Sequence, residues 1–260
     1  MNTTHKEFLN FAERFLDKSS KILINKFNGK FSEEEKMDGS FVTEIDKEIE
    51  NLFISSLKMS FPKHGLIGEE FGKFNISSDF IWVIDPLDGT HSFISGKPLF
   101  GTLICLIINK KPALGMIDIP VLSERWIGGL KSGITFNKKK CPRFSNKKSL
   151  SNSIVSSTSL LMFEKRYYKK LKRIYQKSKF PIFGTDCYAY GLMLNGKIDL
   201  IIEANMKPWD FLAQVPLIKE AGGYITDWDG KELNLNSNGR VIASSSKKCY
   251  QEALEILSES

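Results

Sequence analysis

The stretch Trp82-Val83-Ile84-Asp85-Pro86-Leu87-Asp88-Gly89-Thr90 constrains this chain more than any other, because it sets two carboxylates three residues apart on a sharp turn. The run that leads into it, Phe80-Ile81-Trp82-Val83-Ile84, is short, apolar and rich in β-branched and aromatic side chains, and it reads as a buried strand. Pro86 biases Asp85 toward an extended backbone, which puts that carboxylate at the carboxyl end of the strand. Asp88-Gly89 is a turn signal, and Gly89 lets the backbone approach a bound group closely. Two carboxylates held this near each other repel, and a divalent cation between them relieves the repulsion. The motif therefore reads as a metal site that receives a phosphate.

The remaining pattern alternates helices and strands. Phe8, Phe11, Ala12, Phe15, Leu16, Ile22 and Leu23 recur at helical spacing up to Asn28-Gly29. A second helix starts after Thr43, with Ile45, Ile49, Leu52, Phe53 and Leu57 on one face, and stops at Ser60-Phe61-Pro62. Leu103-Ile104-Cys105-Leu106-Ile107-Ile108 reads as a buried strand, with Ala113-Leu114-Gly115-Met116-Ile117 as its hairpin partner. Residues 137–152 turn polar and lysine-rich, which suggests a seam between two lobes of one domain spanning 1–260. Beyond it, Ile154-Val155 reads as a strand and Ile198-Asp199-Leu200-Ile201-Ile202-Glu203 as another. A helix opens after Phe183-Gly184-Thr185-Asp186-Cys187. A final one is expected over 210–221, kinked at Pro216 and ended by Gly222-Gly223. This order predicts a layered α/β sandwich.

Composition removes several alternatives. Hydrophobic and charged contents of 42% and 26% are ordinary for a globular protein. No apolar run is long enough to cross a bilayer, and the start, Met1-Asn2-Thr3-Thr4-His5-Lys6-Glu7, lacks the apolar centre of a signal peptide, so no membrane partner and a cytoplasmic location are expected. Cys105, Cys141, Cys187 and Cys249 form no CxxC pair, which argues against zinc and thioredoxin-like chemistry. No GxxxxGK[ST], GxSxG or HExxH motif is present. The net charge of +7 comes largely from 137–148 and 165–173. In the second tract Leu161, Phe163, Tyr167, Tyr168, Leu171, Ile174 and Tyr175 interleave with the basic residues. That fits an amphipathic helix with a solvated face better than a nucleic-acid surface.

Three acidic elements stand at strand ends or helix starts: Glu69 beside Glu70, the Asp85/Asp88 turn, and Asp210. Singly each has a structural explanation, as a solvated loop, a turn and a helix N-cap. Jointly, an all-oxygen set without His or Cys suits Mg²⁺.

These residues also carry a family likeness. Gly68-Glu69-Glu70, the 82–90 stretch, and Trp209-Asp210 with Glu220-Ala221-Gly222-Gly223 resemble the three signatures of the inositol monophosphatase superfamily, a likeness running over roughly 5–245. Three longer segments resemble its histidinol-phosphatase branch. They are 92–103, 115–126, and Gly184-Thr185-Asp186-Cys187-Tyr188-Ala189-Tyr190-Gly191 continuing to Glu203-Ala204 and Lys207-Pro208. Departures fall at His91, Asn205-Met206 and Trp209.

The resemblance implies the αβαβα sandwich of that superfamily, a homodimer, lithium inhibition and two or three Mg²⁺ per site. Glu69, Asp85 and the Leu87 carbonyl would hold one ion, and Asp85, Asp88 and Asp210 a second. Asp46 would pair with Thr90 to orient and deprotonate the attacking water, with Glu69 part of the catalytic set. Gly89 and Thr90 backbone groups would bind the phosphate. Asp88, Gly184, Thr185, Asp186, Glu203 and Asp210 would surround the rest of the substrate, expected to be a small phosphate ester. Asp186 and Glu203 suit the ammonium and imidazole of L-histidinol phosphate; an inositol or sugar phosphate, with hydroxyls only, is the other reading. A basic binding protein with vestigial catalysis is the reading from a different class, and the full acidic set argues against it. On spacing alone, Asp46 is a first-turn helix carboxylate.

Overall fold

The computed structural model describes residues 3–35, 41–144 and 147–259. Its largest sheet has eight strands, in the spatial order Lys139–Lys140, Ile134–Phe136, Glu124–Gly129, Lys111–Ile119, Gly101–Ile108, Phe80–Asp88, Gly65–Gly68 and Lys73–Phe74. Neighbours are antiparallel except Gly65–Gly68, which runs parallel to Phe80–Asp88. A second sheet orders Phe180–Phe183, Ile154–Ser157, Leu200–Glu203, Val241–Ser244 and Tyr224–Thr226. The chain passes from the first sheet to the second between Lys140 and Ile154, a stretch that overlaps the polar, lysine-rich 137–152; Ser145 and Asn146 lie outside the described residues.

Side chains of successive strand residues point to opposite faces, and the central strands use both. Leu66, Trp82, Ile84, Ile104 and Leu106 pack beneath helices Thr3–Phe27 and Glu44–Ser60, where Phe8, Phe11, Phe15 and Phe53 bury. Ile67, Val83, Leu103 and Cys105 pack on the other face. There they meet Tyr190 and Met193 of helix Tyr188–Leu194, Val215 and Leu217 of helix Gln214–Glu220, and Ile201 and Ala243 of the second sheet. Leu200, Ile202 and Ile242 face outward against helices Tyr168–Lys177 and Lys247–Ser258. The result is five layers, αβαβα, as the residue pattern and the resemblance led one to expect.

Two elements differ from the sequence reading. The apolar spacing from Leu161 to Tyr175 does not make one helix. Leu160–Met162 and Lys165–Tyr167 are 3₁₀ turns, and only Tyr168–Lys177 is α-helical. Ser159 accepts the Leu161 N–H, and Phe163 and Glu164 are extended, so Leu161 stands 88% exposed instead of facing the core. The helix expected over 210–221 is likewise two, Pro208–Phe211 and Gln214–Glu220. The break falls at 212–213 and not at Pro216. That proline occupies the first turn of the second helix, where its missing N–H leaves no intrahelical bond unmade.

Candidate active site

The strand Phe80–Asp88 delivers the first two carboxylates. Its pairing with Gly101–Ile108 slips between Asp85 and Asp88, and the irregularity turns both acids to one end of the sheet. Asp85, 2% exposed, accepts the Leu87 N–H at 2.9 Å, while the Thr90 hydroxyl donates to the Leu87 carbonyl at 3.1 Å and Thr102 to the Pro86 carbonyl at 3.0 Å. Gly89 sits at φ +83°, where a Cβ would also lie 3.3 Å from the Asp186 Cβ and from the backbone of Leu99 and Phe100. Only glycine makes this turn without strain. Helix Thr90–Ile94 begins immediately after it.

The parallel register sets Gly68 beside Ile84, so Glu69 leaves its strand next to Asp85. Asp210 comes from the second half of the chain, where Pro208 starts a short helix and Asp210 Oδ2 accepts the Lys207 N–H at 2.7 Å. Asp85, Asp88 and Asp210 each bring a carboxylate oxygen within 4.8 Å of the others. Burial pushes the Asp85 carboxyl well above the usual range, and the charges of Glu69, Asp88, Asp210 and Asp46 push it further. Asp88 is raised likewise, by burial first and then by Asp186 and Asp210. This mutual repulsion, in a donor set made wholly of oxygen, is what a hard divalent cation such as Mg²⁺ neutralises; the residues fit it.

Asp46 lies at the start of helix Glu44–Ser60, and its carboxylate is turned to Thr43. Asp46 Oδ2 accepts from the Thr43 N–H at 2.8 Å and the Thr43 hydroxyl at 2.6 Å, a capping box that closes locally, while the Thr90 hydroxyl points to Leu87. Asp46 and Thr90 are therefore not hydrogen-bonded to each other. Burial lifts the Asp46 carboxyl to about 6 against the lowering effect of the Thr43 bonds.

Beside the cluster opens a cavity of about 330 Å³, lined by Asp88, Gly89, Asp186, Glu203 and Asp210 together with His91, Thr158, Met162, Cys187, Tyr190 and 204–206. Asp186, in a left-handed conformation at φ +46°, accepts from the Ser92 hydroxyl at 2.5 Å instead of capping the next helix. Its neighbour Cys187 donates its N–H to Asp88 Oδ1 at 2.9 Å, which ties the second half of the chain to the metal turn. Glu203 is buried. It is 3% exposed and accepts from Thr158 at 2.5 Å and Tyr190 at 2.9 Å, with burial raising its carboxyl to about 7. Gly184 and Thr185 do not reach the cavity wall; the Thr185 hydroxyl is paired with Ser156 at 2.8 Å. Thr158, Met162, Tyr190 and Cys187 were not singled out as site residues from the sequence. Thr158 and Met162 carry no sequence signal, being a lone hydroxyl and a lone thioether.

A layered α/β sandwich with a carboxylate cluster at the end of a central strand defines a class of metal-assisted enzymes, and the comparisons narrow it. The Inositol monophosphatase family profile matches residues 4–260, and the chain belongs to that family. It is a phosphoric monoester hydrolase of that kind. The chain is 39% identical over 270 residues to the bifunctional phosphatase IMPL2, chloroplastic, of Arabidopsis thaliana, covering 98% of this chain and 76% of that protein. It is 29% identical over 240 residues to the histidinol-phosphatase of Chlorobaculum parvum, covering 91% and 92%. Its fold matches the inositol monophosphatase of Zymomonas mobilis with a TM-score of 0.89 at 32% identity, over 99% and 100% of the two chains. Among the described residues no helix is long and apolar enough to cross a membrane.

Proposed function

We propose that this phosphatase converts L-histidinol phosphate to L-histidinol and phosphate, a step of histidine biosynthesis. The observation that carries the reading is the charge of the cavity. Asp186 and Glu203 add two carboxylates beyond Asp88 and Asp210, and no lysine or arginine lines it among the described residues. Such a wall favours an alcohol bearing an ammonium and an imidazole, and disfavours one carrying a second phosphate. The C. parvum relative, named a histidinol-phosphatase, supports the same reading. The second reading, hydrolysis of inositol 1-phosphate or sugar phosphates, has the Z. mobilis likeness in its favour.

In this proposal Glu69, Asp85 and the Leu87 carbonyl would hold one Mg²⁺, and Asp85, Asp88 and Asp210 would hold a second, with room for a third, more weakly held ion. When bound, the ions supply positive charge that neutralises the phosphoryl oxygens and acidifies the attacking water. Asp46 takes the proton of that water, and a carboxyl near 6 is ionised for the task at neutral pH. Thr90 orients the water, and the backbone N–H groups of Gly89 and Thr90 hold the phosphate. Asp186 and Glu203 hold the cationic end of the leaving alcohol. We further propose a homodimer, supported by the exposed apolar residues Leu160 and Leu161, which line a groove together with Pro181 of the edge strand of the second sheet. A kcat/KM panel over histidinol phosphate, inositol 1-phosphate, fructose 1,6-bisphosphate and glucose 6-phosphate tests the substrate. Histidinol phosphate is expected to lead by roughly tenfold or more, the worth of one charge-assisted hydrogen bond. Equal values across the panel contradict the assignment.

A further inference from the structure

We infer that Glu50 is the positioning residue of the metal loop, setting where Glu69 stands; the inference rests on the reading of Glu69 as a metal ligand. Glu50 lies one helical turn beyond Asp46 on helix Glu44–Ser60 and is fully buried. Its carboxylate is spent on the backbone just past Glu69. Oε2 accepts the Glu70 N–H at 2.8 Å and Oε1 the Phe71 N–H at 2.9 Å. The loop closes on itself around this anchor through the Gly68 N–H, which donates to the Gly72 carbonyl at 2.9 Å. Gly68 is the residue that makes room, since a Cβ there would lie 1.9 Å from Glu50 Oε1.

The anchor therefore has both sides built for it, a buried carboxylate on the helix and a side-chain-free strand end above. Burying a carboxylate costs several kcal/mol unless its oxygens are bonded, and two parallel N–H donors fix the loop in rotation as well as in place. The next strand ties this geometry to the cluster. Gly68 is in register with Ile84, so the orientation of the 68–72 loop decides whether the Glu69 carboxylate faces Asp85. One helix thus carries the residue proposed to take the proton of the attacking water and, four positions on, the residue that aims a metal ligand.

Glu50→Gln keeps the volume but turns one acceptor into a donor facing an N–H. Three quantities report the effect: Mg²⁺ affinity of the metal-free protein by titration calorimetry, the Mg²⁺ concentration for half-maximal phosphatase activity, and the melting temperature without metal. The expected result is Mg²⁺ binding weakened roughly 10–100-fold, as loss of an outer partner of a metal ligand does, with KM unchanged and kcat restored by saturating Mg²⁺. Mg²⁺ affinity within about twofold of the parent overturns the inference, as does a kcat loss that saturating Mg²⁺ leaves in place. Should Glu50→Gln not fold, Gly68→Ala displaces the same carboxylate from the loop side and is judged by the same criteria. Glu69→Gln in parallel separates the two claims. If it weakens Mg²⁺ binding while Glu50→Gln does not, the inference alone falls. If it leaves Mg²⁺ binding unchanged, the metal reading of Glu69 falls and takes the inference with it.

Discussion

Replacing Asp88 by asparagine is expected to make the metal-free protein more stable while strongly reducing its response to magnesium. Asp85, Asp88 and Asp210 hold oxygens within 4.8 Å of one another, and two full charges at that separation repel by about 3.5 kcal/mol in an effective dielectric of about 20. Protonation already relieves part of this, as the raised Asp85 and Asp88 carboxyls show, so a net gain of about 1–3 kcal/mol is expected. For a chain of this size that is roughly 3–10 °C in Tm. Asparagine keeps an oxygen for the Cys187 N–H that Asp88 now accepts, so little else is lost.

The sign with pH follows from the direction of the shift. The folded Asp88 carboxyl titrates well above 3.8. Its cost is therefore absent where it is protonated in both states and grows as pH rises through the folded value. The variant's advantage should be largest at pH 8 and vanish near pH 4. Thermal unfolding of chelator-treated protein, with and without Mg²⁺ at both pH values, reads this directly. The parent gains stability from added Mg²⁺ by mass action, and Asp88→Asn should gain far less. A metal-free variant no more stable than the parent at pH 8, or an equal Mg²⁺ response in both, would refute the reasoning.

Asp186→Asn should raise KM for histidinol phosphate roughly tenfold or more and leave inositol 1-phosphate nearly unchanged, since only the former presents a cation to the lost charge; steady-state kinetics on both substrates decide it. Glu203, held at about 7 against an ordinary 4.5, costs stability above pH 7 and nothing below about pH 4.5. Glu203→Gln should therefore unfold at higher urea than the parent at pH 8, by up to about 3 kcal/mol, and match it near pH 4.5. An unchanged pH slope would count against burial as the cause. Sedimentation should give a dimer mass for the parent and a monomer for Leu161→Lys, which puts a charge at the 88% exposed leucine of the groove beside Pro181.

The metal turn could be read from sequence because its determinants are local. Pro86, the Asp88-Gly89 pair and the apolar run from Phe80 fix strand and turn within one short stretch, and the structure keeps both, with the strand running on past Asp85 to Asp88. The layers were legible for the same reason, since Leu66, Trp82 and Ile104 alternate with Ile67, Val83 and Leu103 between two cores. Hydroxyl partners were not legible. Thr43 and Thr90 are equivalent as residue types, and only the helix start that places Thr43 beside Asp46 decides which one bonds it. Leu161 misled because helical spacing of apolar residues is also met by successive 3₁₀ turns with an extended break between them. Thr158 and Tyr190 reach Glu203 from other elements of the fold, a convergence that no spacing along the chain encodes.

Anomalous diffraction from crystals soaked in Mn²⁺, a scattering substitute for Mg²⁺, tests the account at its centre. Peaks bonded to Asp85 and shared with Asp88 and Asp210, with a further peak reached by Glu69, are the expected result. Peaks elsewhere, or these four carboxylates left without any bound ion at saturating Mn²⁺, would contradict it.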